Sequence, residues 1–243
     1  MKDTITLSVF RGDHTGGEER SYDVPVTEGM VVLDAVHYIQ QHLAPDLAVR
    51  WNCKAARCGS CSAEINGRPR LMCKTRLDVL GEGVIHVRPM KSFPVIRDLV
   101  TDVSWNYRVA RQIPGFTPAH PAPFVMHQVD VERSQEFRKC IECFLCQNVC
   151  HVLRDHDLKS RYVGPRFMIK IAELEMHPMD TVDRIDFTQK DAGVGYCNVT
   201  KCCQEVCPEH IHITDNAIIP MKERVADEKY DPVRMLVRAI RGR

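Results

Sequence analysis

Twelve cysteines are the residues most able to do chemistry in this sequence, and they divide along the chain into three sets of four. The first set has the spacing C-x4-C-x2-C followed by a remote fourth cysteine, and its members are Cys53, Cys58, Cys61 and Cys73. This spacing is typical of a plant-type 2Fe-2S site, in which a loop wraps the cluster and a distant thiolate completes it. The alternative is a structural zinc site, but zinc sites favour paired C-x2-C units in a different layout. We therefore expect a 2Fe-2S cluster at these four residues.

Small residues fill the loop that carries the first three of these cysteines. They are Ala55, Ala56, Gly59 and Ser60. Small side chains let backbone N–H groups come close to the sulfides of a cluster, to which they donate hydrogen bonds. The composition of the loop therefore favours the same 2Fe-2S interpretation.

The second set is one continuous run, CIECFLCQNVC, and its cysteines are Cys140, Cys143, Cys146 and Cys150. The spacing C-x2-C-x2-C-x3-C is that of bacterial ferredoxins, in which three cysteines of a run bind one cluster and the fourth reaches to another. The run therefore predicts two clusters, whose remaining ligands lie elsewhere in the chain.

The third set holds four cysteines between residues 197 and 207, two of them adjacent. It ends in Cys207-Pro208, the C-P pair that closes a bacterial ferredoxin run. Counting back from this pair gives C-x2-T-x2-C-x3-C-P, in which Thr200 occupies the place of the second cysteine. A threonine hydroxyl is a poor iron ligand because its pKa lies far above that of a thiol. One corner of this site is therefore predicted to lack a protein ligand.

The rule that each run lends its last cysteine to the other cluster assigns the remaining ligands. It predicts a 4Fe-4S cluster bound by Cys140, Cys143, Cys146 and Cys207. It predicts a site with only three thiolates, which suits a 3Fe-4S cluster, at Cys150, Cys197 and Cys203. Cys202 falls outside the pattern and is interpreted as a small buried apolar residue; the alternative is that it supplies the missing ligand.

The composition argues against several other classes of function. Lys and Arg total 33 against 32 for Asp and Glu, so the charge gives no reason to expect a nucleic-acid partner. We expect no targeting segment in the opening residues, and clustered cysteines then favour metal binding over disulfides. The apolar stretches fall far short of the ~20 residues that span a bilayer. No phosphate-binding glycine motif and no nucleophile with its base is recognisable, so we expect no catalytic residue on this chain.

The elements that position the first cysteine set are predicted in residues 1–104. Alternating apolar residues over 5–9 predict a half-buried strand, and Gly16-Gly17 indicates a loop before a second strand near residues 22–24. Thr27 is the expected N-cap of an amphipathic helix that follows it. Asn66-Gly67 predicts a tight hairpin turn farther along the chain.

The pattern changes after a last strand predicted near residues 85–87, and past Pro89 it predicts helices and loops. Residues 113–123 carry four prolines and predict an extended connection. Helices are predicted near residues 130–139, 166–176 and 232–240. We therefore expect two domains: residues 1–104 with the 2Fe-2S cluster, and a mostly α-helical domain over residues 105–243 with the other two clusters.

A plant-type 2Fe-2S loop followed by two crossed ferredoxin runs, one of them lacking a cysteine, resembles the iron-sulfur subunits of succinate dehydrogenase and fumarate reductase. The resemblance covers nearly the whole chain, and it also includes ARCGSC at residues 56–61, VIRDLV at 95–100 and YVGPR at 162–166. It implies a fold of class α+β. In this fold an N-terminal β-grasp domain of the plant-type 2Fe-2S ferredoxin kind precedes an all-α, bacterial-ferredoxin-like domain with two clusters.

The resemblance implies an electron-transfer subunit of a membrane-bound complex. Its partners would be a flavoprotein subunit that carries FAD and a cytochrome b-type membrane anchor with haem b, where quinone is bound. The chain would lie peripherally on the cytoplasmic face of the bacterial inner membrane. His151 and the residues after it stand where ubiquinone-type members have proline and then aromatics, so menaquinone is the expected quinone.

Two other functions remain open from the sequence. One is a soluble multi-cluster ferredoxin-like carrier without fixed partners, which the predicted 3Fe-4S site argues against. The other is the iron-sulfur half of a thiol-driven fumarate reductase or of a glycolate-type oxidase. Co-purification with a flavoprotein and a cytochrome would support the membrane complex, and a lone soluble chain would support the carrier.

Overall fold

A computed structural model describes residues 4–241, and their contacts divide the chain into two compact units. Unit 1 extends to Trp105 and also includes Ile141–Val149 and Val206–Pro208. Unit 2 contains Asn106–Cys140, Cys150–Glu205 and the chain from Glu209 onward. The division adds two short segments to unit 1 that the sequence placed in the second domain. Independent folding of residues 1–104 stays a prediction.

A mixed five-stranded sheet forms the centre of unit 1. Its strands are β1 (Thr4–Asp13), β2 (Gly16–Pro25), β3 (Ser62–Ile65), β4 (Arg68–Leu71) and β5 (Ile85–Arg88). Their order across the sheet is β2-β1-β5-β3-β4, with β1 and β5 parallel and the other neighbours antiparallel. The apolar residues of β1 at 7 and 9 face the core, as their alternation predicted.

Helix α1 (Val32–His42) covers this sheet with an apolar face that includes Val32, Val36 and Ile39. The prediction that Thr27 caps this helix is wrong. Residues 27–30 form a turn, in which Met30 N–H donates to Thr27 O, so the helix begins five residues later. Its first turn is instead capped by Asp34, whose carboxylate accepts from Val31 N–H at 3.2 Å.

Two other expectations for the first hundred residues are also wrong. Gly16 and Gly17 lie in β2 rather than in a loop, because the chain reverses at residues 14–15. Past Pro89 a further hairpin forms, with strands β6 (Val95–Arg97) and β7 (Val100–Thr101). The Asp98 carboxylate in its turn is 2% exposed and accepts from the backbone N–H groups of Gly12 and Ala48. These buried hydrogen bonds fix the hairpin, and no local pattern signals them.

The predicted hairpin at Asn66-Gly67 is confirmed: it joins β3 to β4. Both turn residues have positive φ, 49° for Asn66 and 72° for Gly67. A two-residue turn of this kind matches the twist of the paired strands, which explains its preference for Asn-Gly. The hairpin matters for the site because Cys61 directly precedes β3 and Cys73 closely follows β4.

Helices make up the rest of the regular structure among residues 104–241. They are α2 (Ser104–Gln112), α3 (Gln128–Gln135), α4 (Leu145–Val149), α5 (His151–Arg154), α6 (Pro165–Glu175), α7 (Ile185–Lys190), α8 (Cys202–Glu205), α9 (Ile219–Tyr230) and α10 (Pro232–Arg241). The predicted helices near 130–139, 166–176 and 232–240 are confirmed, and sheet plus helices give the expected α+β class. No helix between Thr4 and Arg241 combines the length and apolar character that a membrane crossing requires.

The proline-rich segment at 113–123 forms a connection without helix or strand, as predicted, but it contains bends at 119–122 rather than being extended throughout. Unit 2 holds it through a buried arginine. The Arg184 side chain is fully buried and donates to the carbonyl oxygens of Pro114 and Gly115 at 2.8 and 2.6 Å. Its charge is paired with Asp180 at 2.7 Å and with Glu175 at 3.6 Å. A buried cation with two acidic partners meets the requirement that buried charges be paired.

Candidate metal centres

The β3–β4 hairpin brings two cysteines of the first set together in unit 1. Ser62 pairs with Leu71 at the open end of the hairpin, and Met72 N–H donates to Cys61 O at 3.1 Å. Cys73 follows directly, and its thiol is a hydrogen-bonding neighbour of Cys61. The hairpin therefore places the remote fourth cysteine of the sequence pattern beside the third.

The loop from Cys53 to Cys58 turns its backbone donors toward sulfur. Ala55 N–H and Arg57 N–H both donate to Cys53 Sγ at 3.3 Å, and Cys53 N–H donates to Cys58 Sγ at 3.5 Å. Positive φ angles at Lys54 and Ala56, both 55°, make this inward turn. Thiolates and sulfides accept such N–H groups, so this donor set fits a 2Fe-2S cluster.

The thiols of this loop lie in different electrostatic environments. Burial alone would raise the pKa of Cys58, but hydrogen bonds from Ser60 and from the Cys53 backbone lower it to about 7. Burial raises the pKa of Cys61 to about 12, and the neighbouring Cys73 adds to the effect. Without a cation, the Cys61 thiol therefore stays protonated, and metal binding at this site must release its proton.

Two cysteines of the second set lie in unit 1, where a segment of that run packs against the loop. Ser62 Oγ donates to Cys143 O at 2.8 Å. A Cβ atom added to Gly59 would lie 2.5 Å from Cys143 Cα, so only glycine allows the two backbones to approach this closely. Leu145 and Cys143 are part of the unit 1 hydrophobic core. Cys146 follows in α4 and is 7% exposed.

A buried polar residue fixes α4 in unit 1. Asn148 is fully buried, donates to Glu64 Oε1 at 2.9 Å and accepts from Ser92 N–H at 2.9 Å. Ser92 Oγ also donates to Asn148 O at 3.0 Å. These bonds hold the helix that carries Cys146, and sequence analysis missed them. A polar QN pair inside a run of otherwise apolar and cysteine residues is the signal that could have indicated them.

The other predicted 4Fe-4S ligands lie in two places. Cys207 belongs to the Val206–Pro208 segment of unit 1, where Lys74 Nζ donates to Pro208 O at 3.0 Å and Val206 packs against the core. Cys140 belongs to unit 2 and immediately precedes the segment that begins at Ile141. Unit 1 therefore contains three of the four predicted ligands.

The predicted three-thiolate site lies entirely within unit 2. Cys150 precedes α5, Cys197 follows a 3-10 turn at Val194–Tyr196, and Cys203 lies in α8. The Cys203 thiol contacts Thr214 Oγ1 at 3.5 Å, and Val199 N–H donates to Cys197 Sγ at 3.4 Å. The three thiols are close enough to interact electrostatically: Cys197 raises the pKa of Cys150, and both raise the pKa of Cys203. Burial raises the pKa of Cys150 to about 11 and that of Cys203 to about 12.

A buried phenol faces this group of thiols. Tyr162 is 1% exposed, and its hydroxyl has no hydrogen-bond partner. Its pKa is raised well above the usual value by burial and then by the charges of Cys197, Cys150 and Cys203, in that order of size. A buried hydroxyl without a partner is unfavourable, whereas cluster sulfides would supply an acceptor. The environment of the three cysteines therefore fits an iron-sulfur cluster.

Cys202 lies closer to these thiols than the sequence interpretation implied. Cys202 is partly exposed rather than buried. Among the thiols, it has the largest electrostatic effect on the pKa of Cys203 and on that of Cys150. Its Sγ also contacts Thr200 Oγ1 at 3.3 Å. Adjacent side chains in a helix are about 100° apart, not opposite as in a strand, so Cys202 and Cys203 of α8 do not point in opposite directions.

Two histidines close to these cysteines in the sequence contact other polar groups. His151 Nε2 lies 3.0 Å from Asn198 Nδ2, and His212 Nδ1 lies 2.7 Å from Glu136 Oε1. Among residues 4–241, no three His, Cys, Asp or Glu side chains are close enough to enclose a single metal ion.

Two family descriptions match the chain. A 2Fe-2S iron-sulfur cluster binding domain matches residues 6–108, and a 4Fe-4S dicluster domain matches residues 136–211. The first match contains the whole of the first cysteine set, and the second contains the other eight cysteines. The expectation of a 2Fe-2S domain followed by a domain for two clusters is thereby confirmed at this level.

Three similar proteins extend these matches. A chain of the Mycobacterium smegmatis Sdh1 complex in the apo form is 64% identical with a TM-score of 0.93, over 96% of this chain and 100% of that one. The fumarate reductase iron-sulfur subunit of Mycobacterium tuberculosis is 32% identical over 87% of this chain and 89% of its own length. An uncharacterized iron-sulfur protein of Methanocaldococcus jannaschii is 33% identical over 93% of this chain, which spans only 44% of that longer protein.

Proposed function

The chain belongs to the family of iron-sulfur subunits of succinate dehydrogenase and fumarate reductase, and from this membership we propose that it relays single electrons within such a complex. The proposed route runs between the FAD of a flavoprotein subunit and a quinone at a cytochrome b-type membrane anchor. The similarity to the Mycobacterium smegmatis Sdh1 complex chain, over nearly the full length of both, carries the proposal.

The proposed ligands follow the three cysteine sets. The 2Fe-2S cluster is assigned to Cys53, Cys58, Cys61 and Cys73. The 4Fe-4S cluster is assigned to Cys140, Cys143, Cys146 and Cys207. The 3Fe-4S cluster is assigned to Cys150, Cys197 and Cys203. Bound clusters would supply one-electron carriers, which let a two-electron flavin and a two-electron quinone exchange electrons singly. The second half is accordingly proposed to be an all-α, bacterial-ferredoxin-like domain, and the first a β-grasp domain.

The residues around these cysteines have three tasks in this proposal. Backbone N–H groups in the loop at 53–58 donate to sulfur and so favour the more negative, reduced state. Burial of Cys61, Cys150 and Cys203 keeps water away from the metal sites. Thr200 leaves one corner without a thiolate, which favours three irons over four at that site.

The proposed partners and location follow from the family. The flavoprotein carries the succinate or fumarate chemistry, and the anchor carries haem b and the quinone, for which menaquinone is proposed. The chain itself would be a peripheral subunit on the cytoplasmic face of the bacterial inner membrane. The helices of residues 4–241, none of which is suited to span a bilayer, are compatible with a peripheral position.

Metal analysis together with purification from detergent-solubilised membranes tests the proposal. We expect about nine irons per chain, the sum for one 2Fe-2S, one 4Fe-4S and one 3Fe-4S cluster. We also expect co-purification with a flavoprotein and a cytochrome. About ten irons would overturn the 3Fe-4S assignment, and stoichiometric zinc would overturn the cluster assignment as a whole. A lone soluble chain would favour the ferredoxin-like carrier, and a thiol-oxidising or glycolate-oxidising partner would favour the other alternative.

A further inference from the structure

The Tyr162 hydroxyl is held in a position from which it cannot reach water. Its backbone is fixed on both sides, because Tyr162 N–H donates to Leu158 O at 2.9 Å and Val163 N–H donates to Ala192 O at 3.2 Å. Helix α6 then begins at Pro165. With 1% exposure and no hydrogen-bond partner, the phenol has no route to satisfy its donor within the described protein.

Other buried hydroxyls of unit 2 show that this fold normally satisfies such groups. Thr188 Oγ1 donates to Arg184 O at 2.7 Å, and Ser134 Oγ donates to Val131 O at 3.4 Å. Leaving a buried donor unpaired destabilises a fold, so an unpaired phenol indicates an acceptor that the polypeptide itself does not supply. The charged groups close enough to raise the pKa of Tyr162 are the thiols of Cys197, Cys150 and Cys203.

We propose that Tyr162 donates a hydrogen bond to a sulfur atom of the cluster held by Cys150, Cys197 and Cys203, and thereby raises the potential of that cluster. The inference rests on the proposed 3Fe-4S assignment. Hydrogen bonds to sulfur are among the determinants of cluster potential. Reduction adds negative charge to the sulfurs, and a donor stabilises the more negative state, so the bond favours reduction. In the proposed complex, the hydrogen bond from Tyr162 would make this cluster a better electron acceptor than the same cluster without the bond.

The test is Tyr162→Phe in the intact complex, because the substitution removes only the hydroxyl. The readout is a redox titration of the EPR signal of the oxidised 3Fe-4S cluster. At a fixed potential near the midpoint, we expect the ratio of reduced to oxidised cluster to fall about tenfold, which for one electron is a shift of about 59 mV to lower potential. The amplitude of the signal in the fully oxidised protein should not change.

Tyr196→Phe is the matched control. Tyr196 lies next to Cys197 in the sequence, but it is 39% exposed and its hydroxyl accepts from Arg161 Nη1 at 3.2 Å. Removing that hydroxyl should leave the midpoint unchanged. An equal shift in both variants would attribute the effect to general loosening of residues 161–197 and would overturn the role of Tyr162.

A second measurement covers the case in which Tyr162→Phe fails to assemble its clusters. In wild-type complex made with ring-deuterated tyrosine, pulsed EPR of the oxidised 3Fe-4S signal should detect deuterons beside the cluster. Absence of that coupling, or an unchanged midpoint in Tyr162→Phe, would overturn the inference while the 3Fe-4S assignment stands. Absence of the 3Fe-4S signal from the wild-type protein would instead overturn the proposed function.

Discussion

Gly59 connects two cysteine loops of unit 1, and its replacement by alanine should disturb both. Its φ of +69° lies in the left-handed region, and a Cβ atom there would lie 2.5 Å from Cys143 Cα and 2.9 Å from Cys143 N. These are backbone atoms, which cannot rotate away as the end of a side chain can. Gly59→Ala must therefore move either the Cys58–Cys61 loop or the segment that carries Cys143.

The expected cost has two parts. An alanine in the left-handed region costs about 1–2 kcal/mol relative to glycine. Overpacking against a fixed neighbour adds about 1–3 kcal/mol. Gly67 separates the two contributions, because its φ is +72° and nothing lies within 4 Å of the position of its Cβ. Gly67→Ala should therefore show only the first cost.

Thermal unfolding of the holoprotein, followed by loss of visible cluster absorbance, is the assay. For a chain of this size about 1 kcal/mol corresponds to about 2–4 °C, so the midpoint of Gly59→Ala should lie roughly 2–12 °C below that of Gly67→Ala. The EPR signals of the reduced 2Fe-2S and 4Fe-4S clusters should weaken in Gly59→Ala. The signal of the oxidised 3Fe-4S cluster should persist, because its three proposed ligands all lie in unit 2.

Equal midpoints for the two variants, with all signals retained, would refute this reasoning. That outcome would mean that the approach of Gly59 to Cys143 is not tight in the folded protein. Loss of the 3Fe-4S signal along with the other two would instead mean that the damage is global rather than local to the two loops.

Three further predictions concern the clusters. Thr200→Cys should convert the 3Fe-4S cluster to 4Fe-4S, abolish the EPR signal of the oxidised protein and lower the potential of the site, while Cys202→Ser should change neither cluster type nor turnover. A signal that is absent from wild type and present only in Cys202→Ser would identify Cys202 as the fourth ligand. Residues 1–104 alone should assemble a 2Fe-2S cluster. The fragment should have a lower unfolding midpoint than the full chain, because it lacks Asn148, which pairs with Glu64 and Ser92. A fragment that stays colourless where the full chain is reconstituted would contradict an independent domain.

The features that the sequence predicted well are those determined by residues close together in the chain. The turn at Asn66-Gly67 is one, because two neighbouring residues with positive φ define its geometry. The three predicted helices near residues 130–139, 166–176 and 232–240 are others. The 2Fe-2S and dicluster domains belong to the same class, because the distance between ligands of one cluster limits how many residues separate the cysteines of a loop.

The features that the sequence did not predict depend on residues that lie far apart in the chain. The contacts of Asn148 with Glu64 and of Ser62 with Cys143 join residues separated by 84 and 81 positions. A polar residue gives no periodic signal, and its partner is determined by the tertiary path alone. Tyr162 belongs to the YVGPR segment, and nothing local distinguishes a tyrosine with an unpaired hydroxyl from one that is simply packed. The prediction of an N-cap at Thr27 is wrong for a related reason. Val31 forms an isolated antiparallel β-bridge with Arg76, which is distant in sequence, and α1 begins only after Val31.

The path of the chain between the two units bears on the crossed ligand assignment. Cys146 and Cys150 are four positions apart, yet the first belongs to unit 1 and the second to unit 2. The chain changes unit in the same way between Cys203 and Cys207. In each run the last cysteine therefore lies in a different unit from the cysteine before it. Each run would need this arrangement if its last thiolate served the other cluster. The division of contacts groups Cys143, Cys146 and Cys207 in unit 1 and Cys150, Cys197 and Cys203 in unit 2, but it assigns Cys140 to unit 2. The ligand sets therefore stay a prediction from the spacing, which the metal analysis and the Thr200→Cys variant test.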